Sequence, residues 1–169
     1  MDRFSICLPY ILKDEGGNDD DPHDPGGRTS RGIIQREYDS WRKSHSQSLR
    51  DVWIASDKEI SDIYYNQYWQ PYCDRMPHGL DYLLFDMNVN MGPHQASLLL
   101  QRGLGVNADG HIGLITLSAA KVCDAKTTIE NVTQSKIAFY KGLRTFRYYG
   151  KGWLNRVASV EKIALSMID

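Results

Sequence analysis

The chain has 169 residues, 41% of them hydrophobic and 24% charged, with a formal net charge of −1. That length supports one domain with its own core, and the near-neutral charge excludes a global field suited to nucleic acid. No run approaches the roughly 20 apolar residues of a membrane span, and Cys7, Cys73 and Cys123 have neither disulfide-framework nor zinc spacing.

The three cysteines read as reduced, mostly buried thiols. Met1 to Lys13 lacks the charged start, apolar run and cleavage site of a signal peptide. Cytoplasmic synthesis without a signal peptide is therefore the expectation.

Taken in order, Phe4, Leu8, Ile11 and Leu12 share one helical face, so residues 2–14 predict a helix, with Pro9 as a local cost. Gly16-Gly17 predicts a left-handed cap. Residues 18–31, rich in Asp, Asn, Pro and Gly, predict a structured loop or small hairpin. Gly32-Ile33-Ile34 leads into a helix from about Gln35 to His45. Asp57 is the expected N-cap of a helix running to Tyr68 or Trp69, ended by Pro71. Residues 80–91 and 94–104 predict two helices separated by Gly92-Pro93. Asn107 to Gly110 predicts a tight turn, and Thr116 is the expected cap of a short helix to Val122. Two long amphipathic helices, about 127–149 and 153–167, are expected around Gly150 and Gly152. The sum is a mainly α fold with a small irregular or hairpin loop near the N-terminus.

Chemistry points to the first loop. Residues 14–27 hold six acids, Asp14, Glu15, Asp19, Asp20, Asp21 and Asp24, and no Lys or Arg. Glu15 ends a helix, beside the negative end of its dipole; with a partly apolar cleft in front of it, both effects favour the protonated carboxyl that a general acid needs. Asp24 lies in a polar loop where ionisation is favoured. Two carboxyls in unlike environments suit glycosidic cleavage. From the residues alone, a helix-ending Glu15 and solvated, turn-forming aspartates are the favoured account of the same loop. A metal held by Asp19, Asp20, Asp21, His23 and Asp24 fits neither calcium nor zinc spacing.

Glu15-Gly16-Gly17, Asp21-Pro22, Asp24-Pro25-Gly26-Gly27, Thr29 and Gly32-Ile33 together resemble the signature of glycoside hydrolase family 108 lysozymes. These are peptidoglycan N-acetylmuramidases found as phage endolysins and secretion-associated muramidases. Later blocks follow in order: Tyr64-Tyr65 with Tyr68-Trp69; Phe85-Asp86 with Asn88 and Asn90; Asp109-Gly110 with Thr116; Gly152-Trp153-Leu154-Asn155-Arg156. The resemblance implies an α+β lysozyme-like fold and makes Glu15 the catalytic acid, with Asp24 as second carboxylate and Thr29 as water-holding hydroxyl. It implies one domain over 1–169, with a catalytic lobe in 1–75 and a helical lobe in 76–169 resembling a peptidoglycan-binding region. Neither cofactor nor metal is implied, and a monomer is expected. The partner is bacterial peptidoglycan, reached in the periplasm or from outside. The family often has an aromatic and then an aliphatic residue where this chain has Asn18 and Asp19. A non-catalytic wall-binding or secretion-accessory protein, and a wall peptidase, are the rival readings.

Tyr64, Tyr65 and Trp69 are candidate sugar-stacking rings, with packing in the core as the alternative. Asp86, Asn88 and Asn90 are candidate substrate contacts, with buried, hydrogen-bonded helix polars as the alternative. Lys136, Tyr140, Arg144, Arg147 and Lys151 fall on one stripe, and residues 136–156 carry no acid. That stripe reads as a solvated face or as a contact for an anionic wall or outer-membrane surface.

Overall fold

The computed structural model describes residues 2–19 and 27–168, which divide into two compact units at Tyr68/Trp69. Among the described residues there are eight α-helices and one three-stranded antiparallel sheet, the mainly α architecture expected. None of these helices is long and apolar enough to cross a membrane.

The first unit opens with α1 (Arg3–Glu15), whose Asp2 N-cap accepts from the Ser5 N–H at 2.9 Å. Phe4, Cys7 and Ile11 form its buried stripe, and Pro9 stands on the exposed side. Gly16 leaves the helix at φ +77 but with extended ψ, so the break requires glycine without being the left-handed cap expected. Strands β1 (Asn18–Asp19), β2 (Thr29–Ser30) and β3 (Ile33–Ile34) follow in sheet order β1-β2-β3. Arg31 and Gly32, at φ +50 and +80, form the two-residue turn between β2 and β3. Positive φ at both central positions matches the twist that a two-residue hairpin needs.

Helix α2 (Gln35–Ser44) starts directly from β3, its first N–H donating to the Arg28 carbonyl at 2.8 Å. Helix α3 (Asp57–Tyr64) is capped by Ser56 rather than Asp57. The Ser56 hydroxyl accepts from the Glu59 N–H, while the Glu59 carboxylate accepts from the Ser56 N–H at 2.8 Å. This capping box satisfies two orphan donors at once, a geometry that Asp57 at the cap would lose. A π turn over Tyr65–Trp69 continues α3, as the expected end at Tyr68 or Trp69 required.

Glu59 also ties the unit together. Its carboxylate pairs with buried Arg42 at 2.5 Å and with Arg50, and both arginines donate to the Tyr38 hydroxyl. Burial opposes ionisation, but hydrogen bonds from Ser56, Tyr38 and Arg50 outweigh it and hold the carboxyl down at about 2.

The second unit is built on α4 (Leu80–Met91), buried on every side from Leu80 to Asn88. Gly92, at φ +79, closes α4 with its N–H on the Asn88 carbonyl and opens α5 (Pro93–Gly103) with its own carbonyl. Helix α6 (Leu114–Val122) begins two residues before Thr116. Thr116 is therefore no cap: it lies buried inside the helix, its hydroxyl accepting from Gln101 at 3.2 Å. The final helices are α7 (Ala125–Lys141) and α8 (Phe146–Ser166). The chain turns at 142–145 and not around Gly150 and Gly152, which both lie within α8. Gly150 is needed for packing rather than for a turn: a Cβ there would stand 2.7 Å from the Phe146 ring one turn earlier in the helix.

Two stability tests follow. A Cβ at Gly103 would stand 2.2 Å from Val132 Cγ2 and 2.9 Å from its backbone nitrogen. Gly103→Ala is therefore expected to cost about 1–3 kcal/mol in urea unfolding, as overpacked cores do. Because the folded-state pKa of Glu59 is depressed, its contribution is present at neutral pH and lost as pH falls from the ordinary carboxylate range towards about 2. Glu59→Gln should be less stable at neutral pH, and the gap from wild type should close over that acid window in pH-dependent denaturation.

Candidate active site

The end of α1 and the β2–β3 turn meet. The Tyr64 hydroxyl, near the end of α3, donates to the Arg31 carbonyl at 2.7 Å. The Arg31 guanidinium reaches back to Asp57 at 2.5 Å and to the Ala55 carbonyl at 2.6 Å. These three bonds pin the hairpin turn to the start and end of α3. The turn in turn brings Gly32 against Glu15: a Cβ at Gly32 would stand 2.7 Å from the Tyr64 hydroxyl and 3.1 Å from Glu15 Oε2. The half-buried Glu15 carboxyl therefore lies beside bare main chain and a phenol.

A pocket of about 520 Å³ opens next to Gly32, lined also by Ile34, Arg36, Glu37, Ser40, Gln67 and Tyr68. The Tyr68 hydroxyl donates to Glu37 Oε1 at 3.0 Å. Burial raises the Glu37 pKa, partly offset by that hydrogen bond, the Ile34 backbone and Arg36. Burial together with the charges of Glu37 and Glu15 pushes the Tyr68 phenol well above its ordinary value, so it stays a hydrogen-bond donor. The pocket thus has a carboxyl whose pKa burial raises, a phenol that donates to it and, alongside Gly32, the Glu15 carboxyl.

The predicted residues divide as follows. Thr29 is half-buried on β2, paired with Asp19 and Ile34, and its carbonyl accepts from Trp53 Nε1 at 3.0 Å. Asp24 lies outside the described residues. The sugar-platform reading is corrected for two rings. Tyr64 and Trp69 are 1% and 0% exposed, and Trp69 is locked edge-on to Phe85 with its Nε1 donating to Asp74 at 2.7 Å. A ring packed on both faces has none for a pyranose. Tyr65 is half-buried, edge-on to Phe4 at 5.1 Å.

Substrate contact is likewise corrected for Asp86 and Asn88, both buried on α4. Asp86 accepts from Lys136 at 2.6 Å and from Arg156 at 3.2 Å, and Asn88 Nδ2 donates to Cys73 Sγ at 3.8 Å. Asn90 is exposed and donates to Asp86 at 2.9 Å.

Sequence reasoning missed Glu37, because an acid in the first turn of a helix ordinarily serves the dipole. It also missed the contact role of Gly32, for which its place in the Gly-Ile-Ile run was the available signal.

A helix-end acid beside a small antiparallel sheet, backed by a mainly helical scaffold, defines a lysozyme-like protein. Residues 8–92 match the model of the glycosyl hydrolase 108 family. The solved structure of Brucella abortus SagA is 35% identical over 97% of this chain and 94% of that one, with a TM-score of 0.82. A comparison with curated proteins gave no match. The chain belongs to the glycosyl hydrolase 108 family, and membership makes it a glycoside hydrolase.

Gly32→Ala tests the construction of the site. The added methyl and the left-handed φ both oppose it. The variant should lose at least about tenfold in glycosidase rate, with a smaller change in substrate affinity, as expected when a reacting group shifts by a fraction of an ångström.

Proposed function

We propose that this glycoside hydrolase is a peptidoglycan N-acetylmuramidase. It cuts the β-1,4 bond between N-acetylmuramic acid and N-acetylglucosamine and so lyses bacterial cell wall. The observation that carries the reading is the placement of Glu15 on the last residue of α1, against Gly32 and the Tyr64 hydroxyl. Family membership supplies the substrate class.

In this mechanism Glu15 protonates the leaving glycosidic oxygen. Its carboxyl lies beside the Gly32 main chain, and the adjoining pocket holds the Glu37 carboxyl and the Tyr68 phenol. Asp24 is the second carboxylate, stabilising the cationic sugar or activating water, and Thr29 is the hydroxyl that holds that water. Glu37 lines the pocket beside Gly32 and is a carboxyl whose removal must be compared with that of Asp24. The enzyme acts as a monomer on the wall, outside the cytoplasm, with no cofactor.

The decisive test is Glu15→Gln. It should fold with an unchanged circular dichroism spectrum and lose about 10²–10⁴-fold in release of reducing ends from purified peptidoglycan, the usual contribution of a general acid. Retained lysis removes Glu15 from the mechanism. Mass analysis of wild-type fragments should show muramic acid at the new reducing ends. New free amino groups instead would mean a peptidase, and no fragments at all a wall binder.

A further inference from the structure

The pocket beside Gly32 continues along α2. A second recess of about 380 Å³ adjoins it, lined by Ser40, Trp41, Ser44, His45, Asn66 and Gln67. Ser40 and Gln67 line both recesses, so the two form one groove, and every lining residue belongs to the first unit. Helix α2 forms one side. Arg36, Ser40 and Ser44 stand four residues apart in one row, with Glu37, Trp41 and His45 in the next. From Glu37 to His45 the groove runs about 12 Å along the helix axis, at about 1.5 Å per residue. The π turn that continues α3 adds Asn66, Gln67 and Tyr68.

The two halves of the groove differ in chemistry. Arg36 and Glu37 line the inner half, whereas no Asp, Glu, Lys or Arg lines the outer one. The outer lining is rich in acceptors. The Ser40 hydroxyl donates to the Arg36 carbonyl at 2.9 Å, the Ser44 hydroxyl to the Trp41 carbonyl at 2.7 Å, and Asn66 Nδ2 to the Asp62 carbonyl at 2.7 Å. Those bonds spend both hydroxyl protons and leave each serine Oγ and the Asn66 Oδ1 as acceptors. The exposed Gln67 carboxamide has no hydrogen-bond partner among the described residues. At the far end the His45 ring lies on Trp41, with centroids 4.1 Å apart at 27°, and His45 Nδ1 donates to the Trp41 carbonyl at 2.8 Å. His45 is exposed while Trp41 is buried, so the indole backs a fixed imidazole that meets solvent. Acceptors beside one flat ring select a ligand that carries hydroxyl and amide N–H donors around an apolar face, as an N-acetylated sugar does. The carboxylates of a peptide would find neither Lys nor Arg in that half.

We propose that this groove is a glycan track. Its inner half holds a sugar beside the Gly32–Glu15 contact, and its outer half, through Ser44, His45, Asn66 and Gln67, binds a sugar further along the same strand. The enzyme is then endo-acting, with an affinity that grows with strand length. The identity of the strand rests on the muramidase reading above; the continuity of the two recesses and the acceptor-rich lining do not.

The test uses the full chain carrying Glu15→Gln, so that binding is read without turnover. The probes are peptidoglycan strands stripped of their stem peptides, purified as tetrasaccharide and octasaccharide and compared by calorimetric titration. The octasaccharide should bind about tenfold more tightly, roughly the worth of one ring contact with a hydrogen bond or two. His45→Ala removes the exposed ring, and Ser44→Trp, at an exposed position of α2, fills the outer recess. Either should bring the octasaccharide down to the affinity of the tetrasaccharide. In chains that keep Glu15, the same variants should act on KM for the octasaccharide rather than on kcat, the mark of binding lost equally from ground and transition states. Equal binding of the two strands overturns the proposal, as does a length preference that survives both variants. Binding seen only when the stem peptides are retained overturns it too, because the recess then takes peptide. Failure of the muramidase reading is seen separately, as no reducing ends released by the wild type from either strand.

Discussion

The hydrogen bond from Tyr64 to the Arg31 carbonyl is the constraint on which the candidate active site depends. It joins the end of α3 to the tip of the β2–β3 hairpin, and through that tip to Glu15. Each partner is dictated by local chemistry. The turn needs positive φ at both central residues, Gly32 supplies one cheaply, and the absence of a Cβ lets the carboxyl and the phenol approach. A net contribution of about 1 kcal/mol is typical for one such bond, yet leaving the buried phenol unpartnered would cost more. The Arg31 contacts to Asp57 and Ala55 make the attachment three-pointed, which fixes direction as well as distance.

Each unit holds one carboxylate between two cations. In the first, Glu59 is saturated: two arginines, a capping serine and a nearby phenol hold it ionised. That arrangement closes on itself and serves stability. In the second, Asp86 likewise takes two cations, Lys136 and Arg156, with Asp86 and Lys136 both buried. Sequence shows both clusters simply as scattered charged residues.

Much of the fold was legible because periodicity and punctuation agree. The helices α4 and α5, split by Gly92-Pro93, came from a run of leucines and a breaker, and the 3.6-residue pattern fixed both nearly to the residue. The failures have common causes. Ser56 and Asp57 are both good caps, and only the reach of Glu59 back to Ser56 decides between them. Thr116 looked like a cap because threonine favours that position, yet a buried partner, Gln101, drew it inward. The 142–145 turn was hidden because Gly142, Gly150 and Gly152 are equal signals in sequence, and Gly150 serves to make room for the Phe146 ring within one helix. At the candidate site, the place of Glu15 at the end of a helix was legible from the Gly16-Gly17 break. The aromatic cluster was not, because Tyr64 and Trp69 share with Tyr65 a composition that says nothing about which face meets solvent.

Gly92 carries a consequence of a different kind. One residue terminates α4 and initiates α5, so the connection contains no slack. A single inserted residue there would rotate α5 by about 100° about its axis, since a helix advances 3.6 residues per turn. Leu99 and Leu100 would leave the core together. Lineages of this fold can therefore vary in length where the chain loops freely, but this corner must pass through evolution at fixed length, and alignments can be anchored on it.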